Sequence, residues 1–428
     1  MLPPSLILGE ILMEFYENKQ EPEKAVLIAV DTGEYDCEVS LDELEELAKT
    51  AGAEVIGRLW QKRDKPDNAL FLGSGRLEEL GEFCENNEID LVIADSELSP
   101  AQLRNIEKAT KIRVIDRTTL ILDIFAERAR SNEGKLQVEL AQLRYSLPRL
   151  TGQGVKLSRL GGGIGTRGPG ETKLESDKRH IRRRIKSLEE EFEALEKRRS
   201  LARARREKDG VETVVIVGYT NAGKSTLMNA LTQAGVLAQD KLFATLDPTS
   251  RALTLPDGRK VMLIDTVGFI RRLPHHLVEA FKSTLEEAAC AKVILNVCDA
   301  SDPECGEHIN VTRELLDELG CAGKPVITVF NKCDKPEAKD NLLHEPDAVM
   351  ISALEEKGFD KLLDAVSRAL PPTRARAKML IPYSDGGAAA ILRKDSVINV
   401  EEYRADGLYF ELVADVTMID RYQDYCVE

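Results

Sequence analysis

Residues Gly218-Tyr219-Thr220-Asn221-Ala222-Gly223-Lys224-Ser225-Thr226 constrain this chain more than any other stretch. The apolar run Val214-Val215-Ile216-Val217 precedes them and Leu227-Met228-Asn229-Ala230-Leu231 follows. That order is strand, glycine-framed loop, helix, with the spacing G-x-x-x-x-G-K-S that a phosphate-binding loop requires. The glycines let backbone N–H groups turn onto phosphate oxygens, where the positive end of the following helix adds attraction. In this pattern Lys224 reaches the β- and γ-phosphates and the Ser225 hydroxyl ligates Mg²⁺. A plain turn between strand and helix would not need loop, strand and helix to agree.

Further motifs follow in the order a nucleotide site needs. The strand Val261-Met262-Leu263-Ile264 ends in Asp265-Thr266-Val267-Gly268. An acid there can hold Mg²⁺ through water, and Gly268 lets a backbone N–H approach the γ-phosphate. The strand Val326-Ile327-Thr328-Val329-Phe330 ends in Asn331-Lys332-Cys333-Asp334. A fixed carboxylate at Asp334 accepts two hydrogen bonds from guanine N1–H and N2, which adenine cannot supply. Discrimination of this kind can reach about 10⁴-fold. Lys332 would lie along the base, Asn331 would tie the loops together, and the backbone of Ser352-Ala353-Leu354 would meet guanine O6. Between the loop helix and Asp265 lies Lys241-Leu242-Phe243-Ala244-Thr245-Leu246-Asp247-Pro248-Thr249. A switch loop supplies a threonine hydroxyl to Mg²⁺ and an N–H to the γ-phosphate. Thr245 is the first choice, with Phe243, Ala244, Leu246 and Asp247 beside it at the nucleotide, and Thr249 is the alternative. The catalytic set is then Lys224, Thr245 and Asn221.

Two positions depart from the common plan. Many GTPases carry a glutamine directly after D-x-x-G to orient water. Phe269 stands there and cannot, so hydrolysis by the free protein is expected to be slow. Asn221 either braces the loop or offers its carbonyl to a monovalent cation such as K⁺. The adjacent His275 and His276 fit a switch segment better than a metal site, since no third ligand is near in sequence.

Around this core, 428 residues are too many for one ordinary domain. The eight cysteines form no C-x-x-C pair and no Cys/His ligand spacing, so free thiols of a cytoplasmic protein are expected. No apolar run approaches membrane-spanning length. Residues 1–130 alternate strands and short helices, which implies a small parallel sheet. There Phe71-Leu72-Gly73-Ser74-Gly75-Arg76 lies at a strand-to-helix turn; its lone G-x-G fits an ordinary turn better than an anion site. In 131–209, Leu136, Leu140, Leu143 and Leu147 form one seam and Leu174, Ile181, Ile185, Leu188, Phe192 and Leu195 another. Two such helices suggest an antiparallel hairpin arm; the alternative is a pair packed on a globular core. A glycine- and arginine-rich stretch joins them.

Charge sharpens the arm reading. Between Arg128 and Lys208 stand 22 Lys/Arg against 11 Asp/Glu, or +11, in a chain of net −15. A basic arm tipped by a flexible loop suits insertion among RNA phosphates, and a solvated helix face is the plainer alternative. Residues 210–370 hold the nucleotide motifs, and 371–428 read as a small α+β domain without chemistry.

Four stretches carry a specific resemblance: Lys135-Leu136-Gln137-Val138-Glu139-Leu140-Ala141-Gln142-Leu143, Gly161-Gly162-Gly163-Ile164-Gly165, Gly168-Pro169-Gly170-Glu171-Thr172-Lys173-Leu174-Glu175 and Phe269-Ile270-Arg271-Arg272-Leu273-Pro274. With them the chain resembles the HflX family, and its Phe-x-Thr-Leu switch is similar to that of Obg-like translation GTPases. The resemblance implies a GTPase of the large (50S) ribosomal subunit and its rRNA that splits or rescues ribosomes under stress, with a helical arm entering that subunit. A monomer using Mg²⁺ is expected. A GTP-dependent switch for a non-ribosomal RNA or protein partner is the competing expectation.

Overall fold

The computed structural model of the protein describes residues 22–150, 169–208, 210–232, 242–243, 245–272, 287–341, 345, 347–372 and 374–427. Arg167, the glycine-rich stretch around it, Ala244, Leu273-Pro274, His275 and His276 lie outside these residues. The fold is α/β, in two compact units: one of residues up to Thr254 with Lys260–Phe359, the other of Leu255–Arg259 with Asp360 onward.

Among the described residues, the first unit contains one parallel sheet and one mixed, mostly parallel sheet. Strands β1 (Lys24–Asp31), β2 (Glu54–Lys62), β3 (Leu91–Ala94) and β4 (Arg113–Asp116) pair in the order β2-β1-β3-β4, all parallel. Helices α1 (Cys37–Thr50), α2 (Ser74–Asn86), α3 (Pro100–Thr110) and α4 (Arg117–Arg128) connect or follow them. Ala25 to Val30 on β1 are buried without interruption, as expected of a central strand covered on both faces. Two of the helix starts are written in the sequence. Asp36 accepts N–H groups of Glu38 and Val39 at α1, and Ser99 with Gln102 forms a capping box at α3.

Next come α5 (Asn132–Arg149) and α6 (Pro169–Lys208). They pair through the Glu133–Arg199 and Arg144–Glu189 ion pairs, whose positions run in opposite directions along the two helices, so the expected antiparallel pairing is present. The two helices nevertheless differ. Val138, Ala141 and Tyr145 sink α5 into the core shared with Leu120, Ile124 and Phe125 of α4, so α5 is not a free arm. On α6, among the described residues, only Leu188 is fully buried, and Arg179, Arg182 and Arg183 face solvent. The leucine period on α5 was the visible half of a wider apolar surface that serves two neighbours.

The second sheet has the order β10-β9-β8-β5-β7-β6. Its strands are β5 (Glu212–Gly218), β6 (Thr249–Thr254), β7 (Lys260–Asp265), β8 (Val293–Asp299), β9 (Val326–Asn331) and β10 (Val349–Met350); only β6 runs antiparallel. Helices α7 (Lys224–Thr232), α8 (Cys305–Glu318) and α9 (Ala338–Asn341) accompany it. The carboxyl ends of β5, β7, β8, β9 and β10 bring the motif loops to one edge, the usual place for a ligand on an open α/β sheet.

In the second unit, α10 (Phe359–Ala369) precedes an antiparallel sheet in the order β11-β13-β12, from β11 (Arg374–Ile381), β12 (Val397–Arg404) and β13 (Gly407–Asp415). Helix α11 (Gly386–Asp395) covers one face over Met379, Ile381, Phe410 and Leu412, and α12 (Val416–Arg421) ends the regular structure.

Candidate functional site

The loop after β5 adopts a backbone few sequences tolerate. Gly218, Asn221 and Gly223 have φ of 141°, 60° and 91°. A Cβ on Gly218 would collide with the Val297 carbonyl, and one on Gly223 with the Asn331 side-chain amide. The glycines are therefore needed for close approach of neighbouring strands as well as for turning N–H groups.

Lys224 opens α7 and is 6% exposed, its ammonium donating to the carbonyls of Gly218 (3.1 Å) and Tyr219 (2.7 Å). Burial pulls its pKa down to about 8, against the nearby Asp265 carboxylate, which acts to raise it. Gly268 lies over this ammonium, where a Cβ would stand 2.8 Å from Thr220 Cα and 2.9 Å from Lys224 Nζ. Main-chain bonds join the two segments: Thr220 N–H donates to Phe269 O (2.8 Å) and Phe269 N–H to Gly218 O (3.1 Å). Phe269 is buried, and its ring belongs to the core.

Three oxygens gather beside the loop. Ser225 Oγ lies 2.6 Å from Thr245 Oγ1 and donates to Asp265 Oδ2 at 2.7 Å. Asp265 is wholly buried, its other carboxylate oxygen has no hydrogen-bond partner, and burial raises its pKa against the pull of Lys224. An orphaned anionic oxygen beside two hydroxyls is a hard donor set that fits Mg²⁺. Thr249, the alternative switch threonine, instead begins β6 and is paired in register with Asp265. Thr266 donates its hydroxyl to Ile216 O, and Val267 is buried behind it.

The base end is knitted by Asn331. Its amide N–H donates to Ala222 O (2.8 Å), and its Oδ1 accepts the Ala353 N–H (2.9 Å), joining the phosphate loop to the Ser352-Ala353-Leu354 loop. Ser352 Oγ donates to Asp334 Oδ1 at 2.6 Å. Lys332, at φ 61°, pairs with Asp299 at 2.7 Å. Burial works to raise the Asp299 carboxyl, but the Lys332 and Ser301 bonds outweigh it and hold it low. Cys333 is half-buried and Leu354 is exposed beside them.

Sequence motifs gave no hint of the residues that reach this edge from the first sheet. Tyr219 stacks on His308 (3.7 Å) and donates its hydroxyl to Glu43, while accepting the Arg271 N–H at 2.8 Å. Arg117, 2% exposed, holds Glu43, Asp95 (3.0 Å) and the Arg271 carbonyl (3.1 Å). Arg272 reaches Asp95 (2.8 Å) and Ser40 (3.1 Å). The one available signal was Glu43 and Ser40 sharing the apolar face of α1 with Leu44 and Leu47.

Comparison with known proteins agrees with this geometry. Residues 38–126 match the family described as GTP-binding GTPase N-terminal, 128–206 GTP-binding GTPase Middle Region, and 213–332 50S ribosome-binding GTPase. The chain is 50% identical to GTPase HflX of Caldanaerobacter subterraneus subsp. tengcongensis, over 99% of this chain and 97% of that one. It belongs to the GTPase HflX family. GTPase HflX of Escherichia coli is 43% identical over 90% of this chain and 92% of its own. Among solved structures, a GTP-binding protein from Sulfolobus solfataricus in complex with GDP is 28% identical, covering 81% of this chain and 98% of that one, with a TM-score of 0.42. Like its HflX relatives the chain is a GTPase, with a GTP-binding domain around the phosphate loop. Among the described residues no helix is long and apolar enough to cross a membrane.

Proposed function

We propose that this GTPase acts on the large ribosomal subunit, separating or rescuing ribosomes under stress in the cytoplasm, with the α5–α6 pair as its RNA-facing element. The observation that carries this reading is the solvent-facing basic surface of α6 at Arg179, Arg182 and Arg183, in a chain whose net charge is −15. The family description over residues 213–332 supports it. Arginines held on a helix can neutralise RNA phosphates, and the released counterions make binding salt-dependent.

In the nucleotide cycle, Lys224 exchanges its two loop carbonyls for the β- and γ-phosphates. Ser225 and Thr245, with Asp265 beside them, would hold Mg²⁺, and the ion would supply positive charge against the phosphates. Asp334 reads guanine, Lys332 flanks the ring, and the Ser352–Leu354 backbone meets O6. Phe269 cannot orient water, so the bound partner has to complete the hydrolytic arrangement.

The test is co-sedimentation with 50S subunits across a salt series. Replacing Arg179, Arg182 and Arg183 by alanine should weaken binding and reduce the slope of log K against log salt by roughly 2–3, since each phosphate contact contributes about 0.7–0.9. GTP affinity of the free variant should stay within twofold, by calorimetry. Undiminished sedimentation at every salt concentration would leave the charge a solvated face. It would favour a switch for a non-ribosomal partner.

A further inference from the structure

Thr245 is held from both sides by the helices that precede the nucleotide domain. Two residues before it, Phe243 is 2% exposed and packs edge-on against Phe125 of α4, with ring centroids 4.7 Å apart. Two residues after it, the Asp247 carboxylate turns to the start of α5. Its Oδ2 accepts the N–H groups of Arg130 (2.9 Å) and Ser131 (2.8 Å), and its Oδ1 accepts the Ser131 hydroxyl at 2.5 Å. That hydroxyl is the N-cap of α5 and accepts the Gly134 N–H at 2.9 Å. The carboxylate therefore completes the cap of a helix 115 positions upstream and sits at that helix's positive end.

We propose that Asp247 is a positioning residue for GTP hydrolysis: anchored on the α4–α5 junction, it fixes the switch segment so that Thr245 can retain Mg²⁺. This rests on the reading of Thr245 as a Mg²⁺ ligand. The supporting geometry is that the Thr245 hydroxyl already lies 2.6 Å from Ser225 Oγ while its neighbours are tied to α4 and α5. Linkage makes the contact work in both directions. A displacement of α5 by a bound partner loosens Thr245, and Mg²⁺ with a γ-phosphate, by drawing on Thr245, holds α5. Asp247 is thus a contact between the nucleotide state and the helix pair that carries the basic surface, and it needs no direct touch on the nucleotide.

Gly134→Ala separates this role from simple stability. A Cβ at Gly134 runs into Asp247 Oδ1 and comes to 3.2 Å from its carboxylate carbon. Alanine is the better helix former, which offsets part of what α5 loses as that Cβ also comes to 3.2 Å from the Ser131 cap oxygen. The expected result is that the Mg²⁺ concentration giving half-maximal GTP turnover rises about tenfold, the scale of one lost charge-assisted hydrogen bond. GDP affinity should remain within twofold, because the switch threonine serves the γ-phosphate state. Asp247→Asn, which keeps the shape and removes the charge, should shift the Mg²⁺ requirement in the same direction by less. Thr245→Ala is the reference. If it raises the Mg²⁺ requirement while Gly134→Ala and Asp247→Asn leave it unchanged, the anchoring role is wrong. If Thr245→Ala itself leaves it unchanged, the assignment of Thr245 fails first.

Discussion

The two ends of the nucleotide site are built on different plans. At the base end, Asn331, Ser352, Ala353 and Asp334 bond one another and the phosphate loop, all within the second sheet's own loops. At the phosphate end, Tyr219 leans on Glu43, the Arg271 carbonyl on Arg117, and Asp247 on Ser131, all partners from outside that sheet. The base end also closes its polar groups, while the phosphate end leaves an Asp265 oxygen unpaired and a lysine buried on two carbonyls. On the proposed reading, guanine would be selected by one domain alone, and the response to phosphate would be shared with the rest of the first unit.

The largest expected effect breaks the base end alone. Asp334→Asn presents an amide donor where guanine also donates. GTP preference over XTP should fall by about 10³-fold or more, as for a site built around a specific hydrogen bond. Competition calorimetry with the two nucleotides reads it directly, and an unchanged preference would move guanine recognition elsewhere. At the other end, Lys224→Ala should lower GTP and GDP affinity together by about a hundredfold, the scale of charge-assisted bonds to phosphate. Intact binding in that variant would mean the loop is misread.

Acidity distinguishes the two ends more gently. Burial holds the Lys224 pKa down to about 8, and an anionic phosphate raises it by favouring the ammonium. Binding then takes up a proton once the solution is above about pH 8, so affinity is greatest below that pH and declines as pH rises through it. Calorimetry at pH 8.5 in two buffers of different ionisation enthalpy should show net proton uptake. No uptake would mean that Lys224 stays charged without nucleotide. The smallest effect concerns Asn221: if its side chain ligates a monovalent cation, turnover is faster in K⁺ than in Na⁺ at equal ionic strength. Equal rates would leave it as a brace for a loop that already needs φ of 60° at that position.

What the sequence made readable follows the same division. Each nucleotide motif sits within a few residues of the strand that aims it, so type, order and spacing carried the second sheet and its base end. Parallel strands covered on both faces also announced themselves as unbroken apolar runs, as in Ala25 to Val30. The contacts of the phosphate end were invisible because Arg117 and Arg271 are 154 positions apart and Ser131 and Asp247 are 116 apart. No local pattern encodes such partners. The α5 seam shows a different loss. Its leucine period identified a buried stripe but could not say that Val138, Ala141 and Tyr145 would widen it toward α4. The Gly73 turn was ambiguous for a third reason. Glycine spacing does not tell where an N–H points, and the Gly73 N–H is already given to Gln61 Oε1 at 2.8 Å.

Asp95 gives the join between the two sheets a particular character. It is wholly buried, and it receives Arg117 from its own sheet, Arg272 from beyond Gly268, and the Ser40 hydroxyl. One carboxylate is the common terminal of two cations that are not equivalent: Arg117 is buried with it, while the Arg272 side chain is 33% exposed. Losing Arg117 would strand a buried charge at about 3–5 kcal/mol. Arg272 can turn to solvent and leave Asp95 still paired with Arg117 and Ser40. The segment after Gly268 is therefore moored to the first sheet by the releasable one of two cations, a rope rather than a rivet.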